Sequence, residues 1–266
     1  MQEAFWKWWD FQGYAKMRIE DYARSKGLSV GKLSKKIVVS ASDKLVPYFN
    51  LTDSQVRKIQ QVKVIVNNRL LREASYRVES NTLRFRPEID AREFYGVVCE
   101  EVGHLIYDTL LGETGNLPDE KLVRRDVFNE WMFRESANEF LGRYLGFLEV
   151  GKNGLHKSTE KYLGKIRTYN EEEFLGQIED EIKAFLKDAR DLHEISSEIY
   201  HAIGYGLAEQ VYSKQGDLFA GTLKQSFSAA TADIPRKVLE SAIESSGFDS
   251  KRTLESFLRI FEEYYE

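Results

Sequence analysis

Apolar residues recur at intervals of three and four positions between Asp90 and Gly112, which predicts one amphipathic helix. The apolar stripe consists of Phe94, Val97, Val98, Val102, Leu105 and Ile106. Asp90 followed by Glu93 has the form of a capping box, and Gly112 stands where a helix typically ends. Glu101 falls inside the stripe and His104 lies about one turn further along. Burying such groups costs free energy unless partners satisfy them, so the function depends on what those partners are.

Strand character is confined to the segment between residues 27 and 87. Runs of β-branched residues, or alternation of apolar and polar residues, predict four strands, at Lys36–Ser40, Val62–Val66, Ser75–Val78 and Thr82–Arg86. The last two strands are expected to form a hairpin. A helix that starts near Thr52 or Asp53 is expected between the first two.

Helical periodicity dominates the rest of the chain. Helices are predicted over residues 1–26, 119–150, 171–213 (continuous or broken near Asp191), from Pro235 onward, and over Ser250–Tyr265. Pro118 suits the first turn of the second helix, and Asn170 with Glu173 forms a capping box for the third. The first helix carries many aromatic residues, which favours packing onto the core over docking to a membrane or a partner.

These elements predict an α+β protein that is predominantly α. Three regions are expected: an aromatic-rich helix over 1–26, a strand-containing region with the motif helix over 27–150, and a helical region over 151–266. The polar, glycine-containing segment 151–170 is the best candidate for a hinge.

Composition and charge narrow the class of partner. The 266 residues hold 38 basic and 43 acidic residues, a net charge of −5, so no overall basic field attracts nucleic acid. Cys99 is the only cysteine, which excludes an intrachain disulfide and a multi-cysteine zinc site. A secretory apolar segment and an apolar run of membrane-spanning length are both absent from the sequence. We therefore expect a cytoplasmic protein with a peptide or protein as substrate or partner, and no nucleic acid.

The segment 100–104 reads Glu-Glu-Val-Gly-His and resembles the His-Glu-x-x-His motif of zincin metallopeptidases. Side chains four positions apart share one helix face, so both can ligate one ion. The resemblance implies that Glu100 and His104 are metal ligands. It also implies that Glu101 is the base that activates a metal-bound water. Glutamate in place of the first histidine changes the charge and the metal preference of such a site.

A hairpin that leads into this helix, and the pattern Glu-x-Gly-His-x-x-x-Asp, resemble the ImmA/IrrE-type zincin-like peptidases. In that family a later helix supplies a third ligand just before an Ala-Asn-x-Phe motif, which this chain has at 137–140. Strict alignment places Arg134 at the ligand position, so Glu135 or Glu139 is the expected third ligand. The resemblance covers roughly residues 60–150. It implies a zincin-like domain over 27–150, one divalent metal (zinc, with iron or manganese as alternatives) and peptide-bond hydrolysis.

A later segment, 200–208, is similar in style to part of the larger oligopeptidases of the same clan. In those enzymes a histidine and a tyrosine donate hydrogen bonds to the oxyanion in the transition state. The similarity implies this role for His201 and Tyr205. The competing interpretation is that His201 is a core histidine, since it lies on an apolar helical stripe.

Two alternatives to a peptidase stay open. In the first, Glu100 and Arg134 pair and occupy the place of the ion, which leaves a catalytically inactive binding or regulatory module. In the second, Glu101-x-x-His104 and Glu198-x-x-His201 form a ferritin-like di-metal carboxylate centre. Its remaining carboxylates would come from Glu135 or Glu139, and from Glu3 or Glu20. The three hypotheses predict one, no or two ions per chain.

Overall fold

A computed structural model shows how the predicted elements are arranged. It describes residues 18–46, 51–67, 74–77, 80–87, 89, 91–111, 125–150, 169–186, 192–228 and 234–265. Within these ranges the helices are α1 (Ile19–Ser25), α2 (Val30–Leu45), α3 (Asp53–Gln60), α4 (Ala91–Leu111), α5 (Arg125–Val150), α6 (Glu171–Leu186), α7 (Leu192–Gln215), α8 (Phe219–Ser228), α9 (Ile234–Ser245) and α10 (Ser250–Tyr265). The strands are β1 (Lys63–Val66), β2 (Ala74–Arg77) and β3 (Thr82–Phe85). The α+β class with a predominance of helix is confirmed.

The strands form one sheet in the order β1-β3-β2. β2 pairs antiparallel with β3, so the predicted hairpin is confirmed, and β1 pairs parallel with β3. Asn81 lies in the hairpin turn with φ of 45°, a left-handed conformation that asparagine tolerates better than most residues. The inner residues Leu83 and Phe85 of β3 are fully buried, and Phe85 packs edge-on against Phe94 of α4. The small sheet therefore anchors the start of the motif helix.

The strand predicted at Lys36–Ser40 is wrong, because this segment lies within α2. Ser29 caps that helix by accepting a hydrogen bond from the backbone of Lys32. Leu33, Ile37, Val38 and Ala41 recur at helical spacing and are all fully buried. Burial of this helical face overrides the strand preference of the β-branched run.

Several local signals do mark helix ends in the structure. Thr52 and Gln55 form a capping box at the start of α3. Asn170 and Glu173 exchange the same pair of hydrogen bonds at the start of α6. Pro235 occupies the first turn of α9, as predicted. α8 was not predicted; it follows a turn in which Gly216 has φ of 57°.

The long helix α5 lies at the centre of the helical core. It packs most extensively against α7 and α4, and every residue from Ser136 to Phe147 is buried. Burial on all sides explains why α5 is not strongly amphipathic, and it places several polar residues inside the protein. Within the described ranges, no helix is both long enough and apolar enough to cross a membrane.

Some expectations fall on residues outside the described ranges. These are residues 1–17 of the predicted aromatic helix, the capping residue Asp90, the segment around Pro118, residues 151–168 of the candidate hinge 151–170, and the candidate break near Asp191.

Candidate metal centre

Two glycines allow α4 and α5 to approach within backbone contact. A Cβ atom added to Gly103 would lie 2.7 Å from the Cα of Gly142, closer than real Cβ contacts permit. A Cβ on Gly142 would lie 3.0 Å from the carbonyl oxygen of Glu100 and 3.3 Å from Cε1 of His104. Because neither glycine has a side chain, both motif residues of α4 lie directly against α5.

A third glycine allows α7 to approach α5 closely next to Glu139. A Cβ on Gly204 would lie 2.5 Å from Cβ of Glu139 and 2.9 Å from the carbonyl oxygen of Ser136. His201 and Tyr205 lie three positions before and one position after this glycine, so they lie near the same crossing. Three helices therefore meet around Glu139.

This crossing assembles a set of metal-ligating side chains. One ligand atom each from Glu100, His104 and Glu139 lies within 4.8 Å of the other two. Their side chains are only 14%, 12% and 10% exposed, respectively, so the group is largely shielded from solvent. Of the two predicted third ligands, Glu139 joins this group. Glu135 lies one helical turn earlier on α5 and is half-buried.

The two histidines approach the same carboxylate oxygen. Nε2 of His104 lies 3.7 Å from Oε1 of Glu139, and Nε2 of His201 lies 3.2 Å from that oxygen. The ring of His201 also contacts the rings of Tyr200 and Tyr205, with centroid distances of 4.7 and 5.4 Å. These contacts fix the position of the imidazole of His201 at the edge of the ligand group.

Glu100 is held by two groups from other helices. The hydroxyl of Tyr205 donates to Oε1 of Glu100 at 2.7 Å, and Nη1 of Arg143 donates to Oε2 at 3.3 Å. The side chain of Arg143 is 1% exposed, and its guanidinium lies 4.9 Å from the ring centre of Tyr205 and 5.2 Å from that of Phe147. The pairing expected between Glu100 and Arg134 is therefore not the one observed, because Arg143 is the arginine next to Gly142 at the crossing.

Arg143 is the functional residue that the sequence reasoning missed. It lies within the segment Phe140–Phe147, in which bulky apolar and aromatic residues dominate. A lone arginine in such a run must find a buried acceptor, since an unpaired charge is costly there. That signal is present in the sequence, although it does not identify the acceptor.

The carboxylates of the site create a negative field. Burial lowers the pKa of His104, but the carboxylates of Glu139, Glu101 and Glu100 outweigh burial and raise the pKa to about 9. Burial, together with the neighbouring carboxylate of Glu139, raises the pKa of Glu135 to about 7. Burial, followed by Glu100 and Glu139, raises the pKa of Tyr205 well above its ordinary value. The field favours a cation and keeps the phenol protonated.

The donor set fits a divalent metal ion. Two carboxylates and one imidazole supply the oxygen and nitrogen ligands that zinc, iron and manganese accept, and a bound cation would offset the field of the buried carboxylates. A site of this kind is carboxylate-rich, and no cysteine is among its ligands. Glu101 contributes to the field but lies outside the three-residue group.

The residues specific to the di-metal hypothesis are less well placed. Glu198 lies one turn before His201 on α7 and is half-buried, whereas Glu20 on α1 is exposed. Glu3 lies outside the described residues. Because Glu20 is exposed on α1, its carboxylate does not serve as the ligand from a fourth helix in a buried centre.

Comparisons with known proteins do not indicate a function, so the proposal depends on the site. The chain has no significant match among models of protein families, curated protein sequences or solved structures. The likeness to the zincin clan therefore rests on the motif residues alone.

Proposed function

We propose that this protein is a metal-dependent hydrolase that cleaves peptide bonds. The observation that carries the proposal is the convergence of Glu100, His104 and Glu139 within 4.8 Å of one another. A buried set of three N and O donors is the usual protein contribution to a hydrolytic metal centre. Peptides are the proposed substrate class because the Glu-Glu-x-x-His segment resembles the zincin motif.

The proposed roles follow from position and charge. A bound ion would act as a Lewis acid towards water and the scissile carbonyl. Glu101 is half-buried and lies close enough to His104 to raise the pKa of that histidine. It would accept the proton of the attacking water and deliver it to the leaving amine. Tyr205 stays protonated and donates to Glu100, so it would orient that ligand. Its predicted role at the oxyanion would require this hydrogen bond to open.

One observation favours a second candidate, a zincin-like module without an ion. Arg143 and Tyr205 already satisfy both carboxylate oxygens of Glu100, so one of the ligands has partners in the absence of a metal. A module of this kind would bind a peptide or protein without cleaving it. Metal content and peptide cleavage distinguish it from the enzyme.

The test is cleavage of a mixed peptide library by protein loaded with zinc, iron or manganese, with products read by mass spectrometry. The proposal predicts cleavage that falls by about 10²–10⁴ in Glu101→Gln, since a general base contributes about that much. The metal content of this variant should stay unchanged. Glu255→Gln, at an exposed position of α10, is the matched control and should cleave like the unmodified protein. Absence of cleavage with all three metals, or full activity of Glu101→Gln, would refute the proposal.

A further inference from the structure

We infer that His201 is a fourth protein ligand of the metal centre, so that α4, α5 and α7 together hold the ion. This inference rests on the metal centre of the proposed function and extends it to the C-terminal half of the chain. It replaces the oxyanion role that the sequence suggests for His201 with a direct bond to the metal.

The distances at Glu139 carry the inference. Oxygen and nitrogen ligands lie about 2.0–2.2 Å from zinc, so neighbouring ligand atoms on one ion lie about 2.9–3.6 Å apart, depending on geometry. Nε2 of His201 is 3.2 Å from Oε1 of Glu139, within this range. Nε2 of His104 is 3.7 Å from the same oxygen, just beyond it. Nε2 of His201 therefore meets the spacing of a co-ligand to Glu139 more closely than the motif histidine does. His201 lies outside the compact group of Glu100, His104 and Glu139, so binding of an ion would draw α7 and this ring towards Glu100 and His104.

The surroundings of His201 position its ring for this role. Its side chain is 16% exposed, comparable to the 12% of His104, and its ring contacts two tyrosine rings. Gly204, one turn further along α7, sets the close approach to α5 that brings the ring to Glu139. A fixed ring loses little freedom when it binds an ion, which favours binding.

A fourth protein ligand changes which metals can support hydrolysis. Two imidazoles, from His104 and His201, and two carboxylates, from Glu100 and Glu139, would supply the four ligands that zinc usually takes and would leave less room for water. Manganese and ferrous iron accept more ligands, so they keep positions for water and substrate. With four protein ligands, manganese or iron would support hydrolysis better than zinc would.

The decisive experiment counts imidazole ligands in the unmodified protein by X-ray absorption of bound zinc and, separately, manganese. Two imidazoles per ion are expected. His201→Ala should show one imidazole and bind at least about 100-fold more weakly, beyond the 10- to 100-fold typical of residues that only orient a ligand. Tyr205→Phe removes a hydroxyl that donates to the proposed ligand Glu100, so its loss of metal affinity measures the effect of a residue that only orients a ligand.

His193→Ala is the matched control, because this residue lies on the same helix eight positions before His201, about 12 Å along the axis. It should bind metal like the unmodified protein. Circular dichroism of the metal-free variants checks that each one folds, and the imidazole count of the unmodified protein does not depend on any variant.

The outcomes separate this inference from the proposal on which it rests. One bound ion with a single imidazole, or a loss of affinity in His201→Ala that is below about 100-fold and no greater than that in Tyr205→Phe, overturns the role of His201 and leaves the three-residue centre standing. An unmodified protein that binds no metal overturns both.

Discussion

Gly103 of α4 and Gly142 of α5 face each other at the point where the two helices cross. A Cβ on Gly103 would lie 2.7 Å from the Cα of Gly142. Backbone atoms cannot yield to such an overlap as the end of a flexible side chain can. The candidate ligands Glu100 and His104 lie within one turn of this contact, so the distance between the helices and the geometry of the site are linked.

Alanine at position 103 should therefore push the helices apart. Overpacking costs about 1–3 kcal/mol, which exceeds the 0.5–1 kcal/mol that alanine gains over glycine in a helix. Gly103→Ala is expected to lower the free energy of unfolding of the metal-free protein by about 1–2 kcal/mol in urea titrations. It should also weaken metal binding.

Gly176→Ala is the control for this prediction, because Gly176 lies within α6 and has no atom within 4 Å of its would-be Cβ. This variant should gain about 0.5–1 kcal/mol. If both variants are stabilised equally, the close contact does not constrain the site.

The ion pair between Arg143 and Glu100 makes a second prediction. Arg143→Met leaves the Glu100 carboxylate buried without its cation, which should destabilise the metal-free protein by about 3 kcal/mol. Adding Glu100→Gln removes that charge, so the double variant should recover much of the loss. Urea unfolding of the four proteins in this cycle gives the coupling energy.

The control pair is Arg236 with Glu240 on α9, whose side chains are 48% and 39% exposed. Arg236→Met should change the free energy of unfolding by no more than about 0.5 kcal/mol. A loss at Arg143 as small as this one would show that the buried pair does not stabilise the metal-free site.

The buried carboxylate of Glu181 on α6, away from the candidate metal centre, should make the free energy of unfolding depend on pH. It is 9% exposed, and Gln177 donates to its Oε1 at 2.7 Å. Burial outweighs this hydrogen bond and raises the pKa from 4.5 to about 7. Between pH 4.5 and about 7 the native protein therefore keeps a proton on Glu181, whereas the unfolded chain releases it. The contribution of this proton to the free energy of unfolding is complete below pH 4.5 and is lost as the pH rises through about 7.

Glu181→Gln removes this dependence. The variant should match the unmodified protein near pH 4.5 and exceed it by about 1–2 kcal/mol at pH 8, allowing for partial solvent access. Urea titrations of metal-free protein at several pH values measure the difference. Glu179→Gln, at a position of the same helix that is 48% exposed, should not change the slope. A constant difference between Glu181→Gln and the unmodified protein at all pH values would contradict the prediction.

The cap of α6 makes a further prediction that uses only local contacts. Asn170 accepts from the backbone of Glu173, and the carboxylate of Glu173 accepts from the backbone of Asn170. Asn170→Ala should cost about 1 kcal/mol in thermal or urea unfolding, whereas Asn170→Ser should keep most of the stability. Equal losses in both variants would mean that the side chain does not act as a cap.

Features set by local sequence could be predicted. The motif helix, the hairpin and the cap at Asn170 depend on residues within one or two turns of each other, and the structure has all three. The strand prediction at Lys36–Ser40 was wrong for a reason that is not local, because the β-branched residues of this segment fit both a strand and the buried face of a helix. The rest of the core decides between them.

The site was predictable in part. Glu100 and His104 share one helix face, so their proximity follows from spacing alone. The choice of Glu139 over Glu135, and of Arg143 over Arg134, depends on where α4 crosses α5. That crossing is set by Gly142, whose role is visible only when both helices are in place.

The measurement that tests the metal centre most directly is the metal content of protein purified without chelator and then incubated with zinc, iron or manganese. We expect one ion per chain in the unmodified protein and in Glu130→Gln, which changes an exposed residue of α5. Glu139→Gln should retain much less than one ion. An unmodified protein that binds none of the three metals, or a Glu139→Gln variant that binds as much metal as the unmodified protein, would contradict the centre described here.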